Sequence, residues 1–419
     1  MYLAAGRSGP PSTVQAAPER PARRTRVAST VLALGAVSLV TDISSEMVTA
    51  VLPLYFVLQL GLNPLQFGFL DGLYNGVSAV VRLAGGHLAD RRQRHRLVAG
   101  AGYALSAVCK LGLLFAGGST TALSATLAAD RVGKGVRTAP RDAMISLSCA
   151  ERDLGRAFGV HRAMDTTGAL LGPLAAFALL WLAVDAYDVV FLVSFCFGLF
   201  GVVLLYAFVP AHPSPAAATS RPSDLRAALR LPAVPAFRRV LVAASLLGLM
   251  SVGDGFLYLV LQKRLDLDTV YFPLLPLGSA AVYLLLAVPV GRAADRLGRR
   301  IPYLWGHLGL LGVYLVLFSP VPGWPLTVLV LVLLGTYYAA TDGVLMALGG
   351  PVVPEKQRAA GLALLQSGQA VGRLLASVLF GAAWTLWSMQ AALALAAAGL
   401  TATLLLARFL LPAHPTESA

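Results

Sequence analysis

Charged residues are scarce in this chain, because aspartate, glutamate, lysine and arginine together make up only 13% of its 419 residues. A soluble domain of this length needs roughly twice that share to cover its surface. Hydrophobic residues reach 57% and the mean hydropathy is +0.73, so lipid is predicted to surround most of the chain. Apolar runs of about 20 residues, each long enough to cross about 30 Å of hydrocarbon, recur throughout.

Residues typical of enzyme and metal sites are also rare. The 3 cysteines, Cys109, Cys149 and Cys196, are far apart without CxxC spacing, and we interpret them as small packing residues. The 6 histidines form no tract. The GKG segment at Gly133 lacks the upstream glycine and the following Ser or Thr of a phosphate-binding loop. We therefore expect no enzyme activity, no cofactor and no metal site.

The net charge of +13 at pH 7 is not a sign of nucleic-acid binding. Most basic residues lie in short segments between apolar runs, where such residues set the orientation of membrane spans. We predict twelve spans at residues 28–59, 66–89, 97–117, 120–147, 157–182, 187–209, 238–262, 270–293, 300–319, 325–348, 359–383 and 387–411. The chain is therefore predicted to be an all-α, polytopic membrane protein.

Span 4 carries too many charges for a hydropathy scan to accept, but orientation requires it. Without it, the Arg-bearing central linker would lie outside, against the positive-inside rule. With it, only Lys263 and Arg264 lie on the outer side. The remaining basic clusters share the cytoplasmic side: Arg20/Arg23/Arg24/Arg26, Arg91/Arg92/Arg94/Arg96, Arg152/Arg156, Arg221 through Arg239, Arg296/Arg299/Arg300 and Lys356/Arg358. This pattern predicts a multi-pass protein of the inner (plasma) membrane with both termini in the cytoplasm.

The chain repeats itself at an offset of about two hundred residues. LYFVLQLGL after Pro53 returns as LYLVLQKRL from Leu257, and GHLADRRQRHR from Gly86 returns as GRAADRLGRR from Gly291. Such duplication is typical of transporters whose halves move about a central site. The predicted divisions are a disordered tail at 1–27, a six-helix bundle at 28–209, a linker at 210–236, a second bundle at 237–411 and a tail at 412–419.

The two repeated loops resemble the signature loop, G-x-x-x-D-R/K-x-G-R/K-R/K, of the major facilitator superfamily. The resemblance implies twelve helices in two six-helix halves related by a pseudo-two-fold axis. The first copy places Gln93 where glycine is usual, whereas the second is nearly complete. We expect the aspartates to accept helix N-terminal N–H groups or to pair with arginine between the halves, as a conformational latch. The latch residues are Gly86, Asp90 and Arg91 in the first copy, and Gly291, Asp295, Arg296 and Arg299 in the second.

Span 5 contains GALLGPLAAF, in which Gly168, Gly172 and Pro173 match the G-x-x-x-G-P element of drug:proton antiporters in this superfamily. Ala176 and Phe177 stand where that element has two further glycines. Small residues also allow close packing of membrane helices. The element therefore favours export, but helix packing is an alternative explanation for its glycines. The run SLVTDISSEMVTAVLPLYF, with RVGKGVRTAPRDAMIS in span 4, resembles a bacterial efflux subgroup, some members of which are linked to metal or drug resistance.

Ionisable residues at membrane depth are candidates for function, because an unpaired charge there is costly. In span 4, Asp130, Lys134, Arg137 and Arg141 share one helical face, with Arg131 beside it. Arg131 is the best match to the superfamily's span 4 arginine implicated in proton coupling; Lys134 and Arg137 are rivals. Span 1 supplies Asp42 and Glu46. We hypothesise that one of these acids pairs with Arg131 or Lys134, and that protonation of the acid releases the base.

Further charges and aromatic residues are candidates for a central cavity. Asp165 in span 5 lies nearer the cytoplasm. Asp254, Asp342 and Arg373, from spans 7, 10 and 11, could pair with one another or contact a cationic substrate. Arg82 and Lys110 either extend to the interface or meet a neighbour such as Asp71. Aromatic residues that could line the cavity are Tyr55, Phe56, Tyr74, Tyr258, Tyr283, Tyr337 and Tyr338.

The function predicted from these features is proton-coupled export of a small organic compound by a monomer embedded in the lipid bilayer. Efflux of a metal ion or metal chelate and uptake of a nutrient are alternatives. Only His161 and His307 are expected within the bundle, which disfavours bare soft metals. A non-transporting membrane sensor is an alternative of another class, but it would not need the paired latch loops or the charged helices.

Overall fold

The computed structural model describes residues 28–74, 76–77, 81, 95–150, 153–211, 230–319, 323–354 and 357–411. The predicted tails and most of the predicted linker lie outside these residues, as do Arg82, Gly86, Asp90 and Arg91. Helices dominate the described part of the chain, and no strand occurs there. The all-α fold class predicted from hydropathy is confirmed.

In the part of the first half that the structure describes, there are six α-helices. They are α1 (Ser29–Leu54), α2 (helical at 64–74, 76–77 and 81), α3 (His95–Ala116), α4 (Thr120–Leu147), α5 (Leu154–Leu182) and α6 (Tyr187–Phe208). Pro53 lies inside α1, and a π-helical turn, Tyr55–Gln59, extends that helix. The hydroxyl of Ser119 accepts a hydrogen bond from the Ala122 N–H and caps the first turn of α4.

The described residues of the second half form eight α-helices because two predicted spans are interrupted. They are α7 (Pro235–Leu249), α8 (Asp254–Leu265), α9 (Leu274–Leu297), α10 (Arg300–Val316), α11 (Trp324–Thr341), α12 (Val344–Gly349), α13 (Arg358–Leu386) and α14 (Met389–Leu410). Predicted span 7 is divided into α7 and α8, and span 10 into α11 and α12. The prediction of continuous helices was wrong at both positions.

Each interruption has a local physical cause. Between α7 and α8, the Tyr314 hydroxyl donates to the Met250 carbonyl and accepts from the Val252 N–H, both at 2.9 Å. Backbone groups freed from a membrane helix need such partners. Between α11 and α12, Gly343 adopts φ +80°, which L-residues with a side chain rarely adopt.

The two halves pack in the same way. In the first, α1 contacts α5 and α6, and α3 contacts α4 and α6; in the second, α7 contacts α13 and α14, and α10 contacts α11 and α14. Counted as spans, these are the same four pairs shifted by six. The sequence duplication therefore corresponds to a duplicated packing arrangement.

The outer surface of the bundle is strongly apolar. Phe115, Leu182 and Phe409 are 85%, 82% and 78% exposed, which would be costly in water but suits contact with lipid. Nine helical stretches in the described residues are long and apolar enough to cross a membrane. The charged α4, the 17-residue α10 and the partly described α2 are not among them, so the number twelve stays a prediction.

Candidate functional site

A cavity of about 210 Å³ lies between the two halves of the bundle. Its walls come from α1 with its π-helical turn, α2 and α4 of the first half, and from the α7–α8 interruption, α8, the segment that leads into α9, the first turn of α9, α11 and α13 of the second. Apolar side chains form much of the lining. The ionisable side chains in its wall are Asp71, Tyr74, Asp254, Tyr258, Tyr337, Tyr338 and Arg373. Of the aromatic residues predicted to line a cavity, Tyr55 and Tyr283 lie elsewhere.

A network of charges runs from this cavity along α4, beginning at Tyr74. The Arg131 guanidinium lies 3.8 Å from the centre of the Tyr74 ring, and the Tyr74 hydroxyl hydrogen-bonds to Thr49 at 2.7 Å. Arg131 also pairs with Asp130, which binds Lys110 at 2.8 Å. The ion-pair partner of Arg131 is thus different from the one in the sequence hypothesis, which paired this residue with Asp42 or Glu46. It leaves α4 on a neighbouring face, directed toward α2 rather than α1.

The next two ion pairs join α4 to α1. Lys134 lies 3.6 Å from Glu46, and these side chains are 37% and 29% exposed. Arg137 lies 3.3 Å from Asp42, and these are only 4% and 11% exposed. Glu46 with Lys134 is one of the pairings that the sequence left open, whereas Asp42 takes Arg137. The Arg137 guanidinium also lies 4.5 Å from the centre of the Tyr103 ring on α3.

The network ends among α1, α4 and α5. Asp165 accepts a hydrogen bond from Ser38 at 2.8 Å, and Arg141 lies 3.7 Å from it. Asp42 and Asp165 thus each lie beside one cation of α4, Arg137 and Arg141 respectively. We use the name charge network for Ser38, Asp42, Glu46, Lys110, Asp130, Arg131, Lys134, Arg137, Arg141 and Asp165.

The charged residues of the second half are arranged differently. Tyr338 donates to both carboxylate oxygens of Asp254, at 2.6 and 2.7 Å. Arg373 donates to the Tyr337 hydroxyl at 3.2 Å, and Tyr337 donates in turn to Ser251 at 3.2 Å. Asp342 lies outside the cavity lining, 3.5 Å from the Tyr283 hydroxyl. The proposed triad of Asp254, Asp342 and Arg373 is therefore not formed.

Two important contacts were not anticipated from the sequence. Lys110 completes the Asp130 cluster on α3, where burial of both partners requires the pairing. Asp71 of α2 accepts from Ser377 of α13 at 2.6 Å, which joins the two halves beside the cavity. The signal for Asp71 was present, since it is an acid inside an apolar run, but sequence alone does not reveal a serine partner 306 residues away.

The span 5 glycines have a clear packing role. A Cβ at Gly168 would overlap the Leu39 backbone of α1, and one at Gly172 would lie 2.9 Å from the Met47 nitrogen. The element therefore brings α5 against α1 next to Asp42 and Glu46. Small residues of this kind permit such close approach between membrane helices.

The second signature loop acts within its own half in this structure. Arg299 donates to the Ala347 carbonyl of α12 at 2.6 Å, a favourable place for a cation near a helix C-terminus. Gly298 adopts φ +84° in the turn, and Asp295 and Arg296 are exposed in the last turn of α9. Asp295 forms no ion pair with a described residue, so the latch between halves stays a prediction.

The end of the bundle that carries the α1–α2 loop is closed. There the Leu65 N–H donates to Thr385 at 3.0 Å, and Thr269 donates to Asp185 at 3.3 Å. The Phe256 and Phe67 rings meet across the halves with their centres 4.7 Å apart. Within the charge network, Lys134 and Glu46 are partly exposed.

This arrangement, two similarly packed helical halves around a central cavity with buried charges, is that of a membrane transporter. The family model of the Major Facilitator Superfamily matches residues 34–284 and 273–419. The chain belongs to the major facilitator superfamily. It is accordingly a multi-pass membrane protein and a secondary transporter rather than an enzyme.

Relatives and solved structures agree with the family and the fold. The chain is 27% identical over 360 residues to an uncharacterized MFS-type transporter of Methanocaldococcus jannaschii, covering 84% of this chain and 87% of that one. It is 34% identical over 158 residues to an uncharacterized protein of Mycobacterium tuberculosis, covering 38% of each.

Among solved structures, the nucleoside transporter NupG superposes with a TM-score of 0.80 at 14% identity, over 91% of this chain and 100% of that one. The peptide transporter POT superposes with a TM-score of 0.72 at 16% identity, over 92% and 94%. At these low sequence identities, the two structures establish only the fold of this chain.

Proposed function

We propose that this chain is a proton-coupled transporter that exports a small organic compound by alternating access. The observation that carries the proposal is the connection between the cavity and the charge network. Tyr74 lines the cavity and lies against Arg131, so a change in the cavity can reach the ionisable groups of α4 and α1. Asp42 and Asp165, each beside a cation of α4, are the carboxyl groups that we propose to exchange the proton.

Alternating access is supported by the closed α1–α2 end. On the predicted orientation, this is the outer end of the bundle, so the central cavity is closed toward the outside. The direction of export rests on the resemblance of Gly168, Gly172 and Pro173 to the element of drug:proton antiporters. Their packing against α1 suits that role, since it holds Asp42 and Glu46 beside α5.

Proton coupling can be tested in proteoliposomes that contain a trapped pH-sensitive dye. A panel of amino acids, nucleosides, aromatic amines and metal salts is screened for compounds that drive proton movement. An active compound should be transported faster under an imposed pH gradient. Asp42→Asn and Asp165→Asn should each remove at least about nine-tenths of that gradient dependence, while transport without a gradient continues.

The matched control is Asp266→Asn, which removes an exposed carboxylate from the αL residue after α8. Asn tolerates this backbone conformation, so coupling should be unchanged. Gradient dependence of wild-type size in both Asp42→Asn and Asp165→Asn would refute the proposed proton site. Proton movement driven only by metal salts would replace the organic substrate with the alternative.

A further inference from the structure

The α7–α8 interruption creates a second set of charges that the charge network does not use. It places Ser251, Val252, Gly253 and Asp254 in the cavity wall. Arg373 of α13 lines the same cavity. Unlike the cations of α4, each of which lies within 4 Å of a carboxylate, Arg373 forms no ion pair with any described residue.

Asp254 and Arg373 are kept apart by two consecutive tyrosines. Tyr338 donates to the carboxylate, and the Tyr337 hydroxyl accepts from the guanidinium. Neutral hydroxyl groups compensate a buried charge only in part, because an opposite charge within hydrogen-bonding distance contributes more. Asp254 and Arg373 can thus each take an oppositely charged partner in addition, and both face the same cavity.

A ligand that satisfies both groups needs a positive and a negative charge. An ammonium group suits Asp254, and a carboxylate suits the planar guanidinium of Arg373, which can bind it through two N–H donors. The remaining wall is apolar, with Leu52, Phe56 and Leu127 among its residues. The volume of about 210 Å³ is below the roughly 300–1,000 Å³ of pockets for drug-sized ligands.

We infer that the cavity binds a small zwitterion with an apolar body, its cationic nitrogen at Asp254 and its anionic group at Arg373. This inference deepens the proposed function and rests on it for the assumption that the cavity is the transport site. A small apolar amino acid is a compound of this class. A compound with one charge would leave either Asp254 or Arg373 with its hydroxyl partner alone.

The test measures binding to the full-length protein in detergent, by the ligand-dependent rise in unfolding temperature over a concentration series. The probes are leucine, phenylalanine and 6-aminohexanoate, with leucinamide as the cation and N-acetylleucine as the anion. We expect at least one zwitterion to bind. Leucinamide and N-acetylleucine should bind about thirtyfold more weakly or worse than leucine, since each lacks one buried charge pair.

The variants assign the two charges. Asp254→Asn should remove the preference for leucine over N-acetylleucine, and Arg373→Met should remove the preference for leucine over leucinamide. Asp266→Asn, directly after α8, and Arg408→Met, in the last turn of α14, alter exposed residues and are the controls.

Failure of every zwitterion to bind would overturn the inference, as would equal binding of leucine and leucinamide or of leucine and N-acetylleucine. These results are separable from the proton measurement. If other compounds drive proton movement while no zwitterion binds, the transporter proposal stands and this inference fails. If zwitterions bind but move no protons, the inference stands and proton coupling fails.

Discussion

The two halves share their packing but differ in how they hold buried charge. In the first half, cations of α3 and α4 meet carboxylates on α1, α4 and α5 in direct ion pairs. In the second half, Asp254 and Arg373 each meet a tyrosine hydroxyl, and no ion pair occurs among its described residues. A directly paired charge has its partner in the protein, whereas a charge beside a hydroxyl can accept one from a ligand. This difference is the basis on which we propose coupling in the first half and recognition in the second.

The strongest test of this difference is removal of Asp130. Asp130→Asn leaves Lys110 and Arg131 buried without their carboxylate, and we expect a loss of about 3–5 kcal/mol in the free energy of unfolding. Asp254→Asn, the matched change in the second half, removes no ion partner and should cost only about 1–2 kcal/mol. Denaturant unfolding in detergent measures both values.

A compensating variant makes this prediction specific. Lys110→Met added to Asp130→Asn removes one uncompensated cation, so the double variant should regain part of the lost stability. If Asp130→Asn and Asp254→Asn lower the free energy of unfolding by the same amount, the proposed difference between the halves is wrong.

The shared packing should respond equally in both halves. An added Cβ at Gly168 overlaps the Leu39 backbone of α1, and one at Gly372 of α13 would lie 2.5 Å from the Ser245 carbonyl oxygen of α7. Because backbone atoms cannot move aside easily, Gly168→Ala and Gly372→Ala should each destabilise by about 1–3 kcal/mol.

The control for this pair lies in α5 itself. A Cβ added at Gly159 would have no atom of the described residues within 4 Å beyond its own helix backbone and chain neighbours. Gly159→Ala should therefore stabilise by about 0.5–1 kcal/mol through its higher helix propensity. Thermal unfolding in detergent distinguishes the opposite signs. A loss at Gly168 without one at Gly372 would show that the close helix contact matters in only one half.

The sequence allowed more of the fold than of the site to be predicted. Hydropathy, charge orientation and the repeat located helices within the described part of each predicted span, because membrane thickness and the positive-inside rule constrain them strongly. The interruptions at Gly253 and Asp342 were missed, although Gly-Asp-Gly and Asp-Gly segments are recognisable turn signals. The pattern of apolar residues continues through both points, so hydropathy alone gives no sign that the helix is interrupted there.

The site was predicted only at the level of which residues are buried and charged. Helical spacing placed Asp130, Lys134, Arg137 and Arg141 on one face, but it could not choose their partners on other helices. Asp42 meets Arg137 rather than Arg131 because the offset between α1 and α4 is set by packing, including the glycine contacts with α5. Pairings over such distances along the chain depend on tertiary geometry that the local pattern does not contain.

The smallest effect is expected where the charge network reaches solvent. Arg141 lies 3.0 Å from Asp142, whose side chain is 43% exposed, and exposed ion pairs contribute about 0–1 kcal/mol. Asp142→Asn should therefore change the unfolding free energy by less than about 1 kcal/mol and leave proton coupling intact, since Arg141 keeps its contact with Asp165. Denaturant unfolding and the dye-containing proteoliposomes test both parts. A loss of proton coupling in Asp142→Asn would show that Asp142, the residue after Arg141, also takes part in coupling. The exposed Asp142 carboxylate would then be the site at which protons enter.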